Sequence, residues 1–172
     1  HAEHDFVITS RGKYLGIGTA MNLLRRLTQL RSEPCLNVNQ LTMLPENPPF
    51  GDCVNELLNK NYEFTMILLD IANLKAFNDH YGYSKGDELL VLLSDLLRKH
   101  INSSTDFAGH LGGDDFMIVI RDGNWKKVLS TLFTEFSHKV IGFYSKEDQS
   151  QGGIRSTDHS GVDCFFDLVS LT

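Results

Sequence analysis

The stretch best suited to chemistry is Gly112-Gly113-Asp114-Asp115-Phe116, in which two glycines and two carboxylates lead into the apolar run Phe116-Met117-Ile118-Val119-Ile120. Adjacent glycines accept the positive φ angles of a tight turn, and the run after them has strand character, so the acids are expected at or beside a hairpin apex. Taken alone, this is more simply a solvated turn, because Gly and Asp are ordinary turn residues. A further acid shifts the balance. Asp70 ends the apolar run Met66-Ile67-Leu68-Leu69. A carboxylate at the end of a buried strand, beside an acidic hairpin, suits a divalent cation, and a cation would let a phosphate approach.

Composition bounds what can surround these acids. With 172 residues, 41% hydrophobic and 22% charged, the chain suits one globular domain with a short appendage. A net charge of −6 and a pI of about 5.6 argue against a nucleic-acid partner, which needs clustered Lys and Arg. Cys35, Cys53 and Cys164 lack C-x-x-C spacing, so neither a disulfide framework nor a zinc site is indicated, and a reducing cytoplasm is expected. No apolar run approaches the roughly 20 residues of a membrane helix, so no membrane span is expected. The chain does not begin with Met and is read as part of something longer.

The elements that must position the acids follow from periodicity. Phe6-Val7-Ile8-Thr9 and Tyr14-Leu15-Gly16-Ile17 predict a hairpin, and Met21, Leu23, Leu24, Leu27 and Leu30 predict a helix after it. Pro48 and Pro49 introduce a helix through Val54, Leu57 and Leu58. Residues 64–71 are apolar on both alternating faces and predict a central strand covered on both sides or backed by helices. A short helix is expected over residues 74–80, stopped by Tyr81-Gly82-Tyr83. A long one opens at Ser84, with Leu89, Leu90, Leu92, Leu93, Leu96, Leu97 and Ile101 at helical spacing and Ser84 and Asp87 able to form a capping box. Trp125, Val128, Leu132, Phe136 and Val140 predict another helix. Residues 145–161 read as polar and glycine-bearing, and residues 162–171 are expected to hold one last strand, centred on Leu168-Val169-Ser170-Leu171.

Three stretches in register resemble one family. They are Leu41-Thr42-x-Leu44-Pro45; Asp70-Ile71-x-x-Leu74-Lys75-x-x-Asn78-Asp79-x-x-Gly82-x-x-x-Gly86-Asp87; and Gly112-Gly113-Asp114-Asp115-Phe116. In order and spacing these resemble the GGDEF domain of diguanylate cyclases. The resemblance implies an α+β sandwich with a ferredoxin-like βαββαβ core and a mostly antiparallel central sheet, as in nucleotidyl cyclase palms. It implies synthesis of cyclic di-GMP from two GTP, each held by one domain of a homodimer, with Mg²⁺ or Mn²⁺. It makes Asp70 and Asp114 metal ligands with the Ile71 carbonyl, and Asp70, Asp114 and Asp115 the catalytic acids. Backbone around Asn73, Leu74 and Lys75, with Gly112 and Gly113, would hold phosphates, while Asn78 and Asp87 would read guanine. Residues 1–36 more weakly resemble the end of a CBS module, through the region Gly12-Lys13-Tyr14-Leu15-Gly16 and the leucine-rich stretch after it, or else are a linker helix. The GGDEF domain is assigned to residues 37–172, without the family's A-D-x-A-L-Y-x-A-K segment. A sensory domain, or a linked phosphodiesterase, is the partner class implied.

Departures from the family pattern leave two readings open. Asp115 stands where active members carry Glu, Ala72 where a second Asp is common, and His110 where an Arg usually precedes the glycines. Ser103 occupies the Arg position of the product-inhibition motif R-x-x-D, although Asp106 remains. The chain is therefore expected to be either a diguanylate cyclase or a GTP-binding regulatory domain that has lost turnover.

Overall fold

Gly12 takes a φ of +77°, and the strands beside it, β1 (Asp5–Ser10) and β2 (Lys13–Thr19), pair antiparallel as the expected hairpin. The computed structural model describes residues 5–10, 12–19, 37–121, 123–157 and 162–172. These fall into two units, residues 1–37 and 38–172. The leucine-rich helix expected around residues 21–30 lies outside the described residues.

The second unit opens with a looped segment closed on itself by a bridge between Val38 and Pro45. Helix α1 (Asn47–Asn59) follows, with proline in its first turn, where a missing N–H breaks no helical bond. Its Phe50 lies against Phe107 at a ring separation of 6.0 Å. Strand β3 (Thr65–Leu69) and the two-residue β4 (Ile71–Ala72) are separated only by Asp70. Helix α2 (Leu74–Tyr81) then runs into α3 (Tyr83–His100) across Gly82, which caps both at a φ of +90°. β5 (Phe107–Gly112) and β6 (Asp115–Ile120) form the acidic hairpin, and α4 (Trp125–Val140) returns over the sheet.

The sheet is antiparallel. β6 lies between β3 and β5, and β4 pairs on its own account with β9 (Ser170–Leu171). Strand, helices, hairpin, helix and strand in that order give the βαββαβ core of the family's α+β fold. The core is packed from one face of the sheet and the inner faces of the helices. Phe77, Leu89, Leu93, Leu97, Phe116, Ile118, Ile120, Leu132 and Phe136 are fully buried, and each contributes on the order of 1.5–3 kcal/mol through burial. No helix among the described residues is long and apolar enough to cross a membrane.

The strand over residues 64–71 is backed by helices and not covered on both sides: Met66 is 54% and Leu68 57% exposed, because helices pack only on the face carrying Ile67 and Leu69. Two expectations need correction. Helix α3 starts at Tyr83 with Gly82 as its cap and no side-chain capping bond, so Ser84 and Asp87 form no capping box. The stretch 145–161, read only as polar and glycine-bearing, begins with helix α5 (Lys146–Gln151) and strand β7 (Gly153–Thr157), and β7 pairs with β8 (Asp163–Asp167). A capping signal was present there, since Ser145 Oγ accepts from the Asp148 N–H at 3.1 Å.

Helices α3 and α4 are clamped at one end by Glu135. Its carboxylate receives Lys99 Nζ at 2.7 Å and His100 Nε2 at 2.7 Å, with Lys139 Nζ at 3.6 Å. The hydrogen bond from Lys99, then that from His100, holds the carboxyl down to about 2 from 4.5. A depressed carboxyl pKa adds stability that is present above the unfolded value and lost as pH falls toward the folded one. Glu135→Gln is therefore expected to lower Tm at pH 7, and the gap from the unsubstituted chain should close as pH falls from about 4.5 toward 2. Thermal melts across that range check it.

Candidate functional site

Asp70 sits between β3 and β4, each with its own neighbour. Leu69 and Ile71 on either side are each 1% exposed, so the alternation of a strand turns the Asp70 side chain away from the core. Its backbone is held in both directions, by Asp70 N–H to the Thr172 carbonyl and Thr172 N–H to the Asp70 carbonyl, each at 3.0 Å. The Asp114 carboxylate comes from the hairpin, where Gly112 pairs with Asp115 and Gly113 and Asp114 make the turn. Gly112 at +131° and Gly113 at +61° hold φ values that a side chain would strain.

These acids share one cleft with Ile71, Ala72, Asn73, Leu74, Lys75, Ala76, Asp79 and Phe166. The Asp70 carboxyl is held above its usual range, first by burial and then by the like charge of Asp114, with Asp115 adding to the effect. Two acids in mutual repulsion, with Ile71 in the same lining, form a hard oxygen donor set. That set fits a hard divalent cation, which carboxylates hold together with water and ligand oxygens. Among the described residues there is no cluster of three or more His, Cys, Asp or Glu that could hold a metal by itself, so the fit is to a cation shared with a ligand.

The start of α2 forms another wall. Asn73 is its N-cap and takes a left-handed φ of +65°, a conformation Asn tolerates better than most residues. Its side chain does not cap the helix. It donates through Nδ2 to the Asp167 carbonyl at 3.2 Å, which ties the helix start to β8. An uncapped helix start facing a cleft suits an anion.

The remaining expected site residues are placed differently. Asn78 and Asp87 do not line this cleft. Asn78 lies at the α2–α3 junction, where its buried Oδ1 has no hydrogen-bond partner among the described residues, and Asp87 is exposed on the first turns of α3. Gly112, Gly113 and Asp115 also lie outside the lining, and Asp115 is exposed. Ser103 is exposed, and Asp106 is engaged structurally, accepting from the Arg121 N–H at 3.1 Å. Sequence reasoning assigned no role to Asp79 or Phe166. Asp79 was visible in the motif beside Asn78, whereas Phe166 lies on β8, ahead of the residues on which the final strand was centred.

Comparison with known proteins agrees with this architecture. Residues 37–151 match the family model described as diguanylate cyclase, GGDEF domain. The diguanylate cyclase DgcS of Shewanella oneidensis is 30% identical over 115 residues, covering 57% of this chain and 38% of that protein. A diguanylate cyclase of Vibrio cholerae is 43% identical over 56 residues, covering 33% of this chain and 17% of its own length. The chain thus spans well under half the length of these relatives. The GGDEF domain of DgcB from Caulobacter crescentus, in complex with c-di-GMP, is similar at a TM-score of 0.53 and 20% identity, over 79% of this chain and 74% of that one. Diguanylate cyclase SiaD of Pseudomonas aeruginosa, in complex with its activator SiaC, gives 0.58 and 17%, over 88% and 53%.

Gly86 explains how Asn78 is accommodated. A Cβ at Gly86 would lie 1.8 Å from Asn78 Oδ1 and 2.8 Å from its Cγ. Gly86→Ala is expected to leave the fold intact, because a gain in helix propensity of up to about 1 kcal/mol offsets local repacking, while the Asn78 amide is forced to another rotamer. Thermal melts together with the Asn78 side-chain amide resonances check both parts. A large fall in Tm with an unmoved amide resonance would contradict the assignment.

Proposed function

Because the chain belongs to the GGDEF family of diguanylate cyclases, we propose that residues 38–172 form a GTP-binding domain of cyclic di-GMP signalling, with Mg²⁺ or Mn²⁺ as the required cation. The observation that carries this is the meeting of Asp70, Asp114 and the start of α2 in one cleft. In this reading Asp70 and Asp114, with the Ile71 carbonyl, hold the cation, and main-chain amides at Asn73, Leu74 and Lys75 bind phosphate oxygens. Gly112 and Gly113 keep the turn narrow enough for a triphosphate to pass. Asn78 and Asp87 read guanine, because a carboxylate accepts from N1–H and the 2-amino group while an amide serves O6 or N3.

The family reaction joins two GTP. The 3′-hydroxyl of one attacks the α-phosphorus of the other, a new phosphodiester forms and pyrophosphate leaves, so a second copy of the domain is needed for turnover. The cation, when bound, lowers the hydroxyl's pKa and offsets charge developing on the phosphoryl oxygens. Asp115 is the residue at the position associated with accepting the hydroxyl proton.

A specific observation favours the second reading, binding without efficient turnover. Asp115 is one methylene shorter than Glu, is exposed and lies outside the cleft lining, and a displacement of about 1 Å can cost about 10²-fold in rate. In that case the domain would regulate a linked phosphodiesterase or answer a sensory domain. Product inhibition through the family site is not part of either reading, since Ser103 cannot make the bidentate contacts of an Arg.

Incubation with GTP and Mg²⁺, read by product chromatography beside binding titrations, tests the proposal. GTP should bind more tightly than ATP, and tightly only with Mg²⁺ or Mn²⁺. Asp70→Ala should weaken GTP by about tenfold or more, and Asp87→Ala should erase the preference over ATP. Equal GTP affinity in chelator and in Mg²⁺ would refute the cation assignment. The raised Asp70 pKa adds a pH dependence: a protonated Asp70 ligates poorly, so the Tm increase from Mn²⁺ should be large at pH 8 and shrink as pH falls into the carboxylate range.

A further inference from the structure

His110 is 2% and Thr42 1% exposed, in surroundings where an unpartnered polar group would be costly. Both ring nitrogens of His110 are engaged. Nδ1 lies 3.0 Å from Thr42 Oγ1, and Nε2 lies 3.0 Å from the Gly113 carbonyl oxygen. That oxygen can only accept, so Nε2 carries the proton, and in the neutral ring Nδ1 keeps a lone pair. The Thr42 hydroxyl has one proton and two acceptors in reach, Nδ1 and, at 3.2 Å, Asn39 Oδ1; Asn39 Oδ1 already accepts from the Leu41 and Thr42 N–H groups at 3.0 Å each, which uses both its lone pairs, so the hydroxyl donates to Nδ1.

The surroundings fix each member of this chain. The ring stacks on Phe116 at a centroid distance of 4.3 Å and an interplanar angle of 4°. The His110 N–H donates to the Pro45 carbonyl at 2.8 Å. Thr42 is fixed from the other side: its N–H donates to Asn39 Oδ1 at 3.0 Å, and its carbonyl accepts from the Arg98 guanidinium. The Gly113 carbonyl belongs to the planar peptide unit that joins Gly113 to Asp114, so holding its direction holds that plane. Gly112 and Gly113 have too little conformational preference to hold it themselves.

We propose that Thr42 and His110 are positioning residues for the acidic hairpin: hydroxyl donates to imidazole, imidazole donates to the Gly113 carbonyl, and the Asp114 carboxylate is thereby kept beside Asp70. His110 is suited to this in a way the Arg expected at its position is not, because a guanidinium has no acceptor for the Thr42 hydroxyl. Neither residue lines the cleft, so they act through the turn. The consequence for nucleotide affinity rests on the GTP-binding reading above, whereas the consequence for the hairpin does not.

The test uses His110→Ala, His110→Gln, Thr42→Val and Thr42→Ser, each confirmed as folded by thermal melting. The first readout is amide hydrogen exchange at residues 112–115 without ligand, and the second is the Kd for GTP with Mg²⁺. His110→Ala and Thr42→Val are expected to speed hairpin exchange and raise Kd, each by about tenfold. His110→Gln, which can still offer an N–H to Gly113, and Thr42→Ser, which keeps the hydroxyl, should stay within about threefold. Nitrogen-15 resonances of the imidazole should show the proton on Nε2. Unchanged hairpin exchange in folded Thr42→Val would overturn the proposal, as would a proton on Nδ1 of the neutral ring. Should His110→Ala fail to fold, the Thr42 pair decides. If the unsubstituted chain binds no GTP, the ligand reading falls and hairpin exchange alone decides this one.

Discussion

Asp70 lies where two strand pairings meet. Residues 65–69 pair with β6, and Asp70 to Ala72 pair with residues 170–172. These pairings need a neighbour on each side, so α2, α3, the hairpin and α4 must bring β6 to one side and β9 to the other. Tyr144 fixes part of that closure, with its hydroxyl accepting from the Val169 N–H at 2.8 Å. Burial pushes this phenol up to about 12, which keeps it protonated at physiological pH. The cost of the arrangement falls on two carboxylates placed in repulsion, and the surrounding bonds keep them from moving apart.

Much of this was legible in the sequence, for identifiable reasons. Leu89, Leu93 and Leu97 recur at helical spacing, and all three are fully buried on α3. Gly112 and Gly113 signalled a turn, and both have positive φ. Pro48 and Pro49 marked a helix start. What failed did so through tertiary context. Met66 and Leu68 are apolar and yet exposed, because hydrophobicity does not say which face of a strand the helices will cover. Ser84 and Asp87 have capping-box spacing, but Gly82 takes the cap position because it ends one helix and begins the next. β7 was missed because its polar, glycine-bearing surroundings resemble a loop, and residues 162–171, expected to hold one strand, hold two, β8 and β9.

The site was legible only in part. Asp70, Ile71, Asn73, Leu74, Lys75 and Asp114 meet in one cleft, as their register within the motif suggested. Asn78, Asp87 and Asp115 do not line it. His110 read in the sequence only as a missing Arg. Its contacts with Thr42 and Gly113 span 68 and 3 residues respectively, and the longer of these is invisible to any local pattern. The motif Leu41-Thr42-x-Leu44-Pro45 gains a physical reason from it: Thr42 meets the imidazole and Pro45 meets the His110 backbone.

The half-covered strand β3 has a consequence for how the protein behaves in solution. Among the described residues Thr65–Leu69 pairs with β6, and Met66 and Leu68, two positions apart on its outer face, are largely exposed. Apolar side chains together on an uncovered face favour contact with another surface. The net charge of −6 opposes contact between copies at low ionic strength and is screened as salt rises, with a Debye length of about 8 Å at physiological strength. Raising salt therefore weakens the repulsion while leaving the apolar attraction in place.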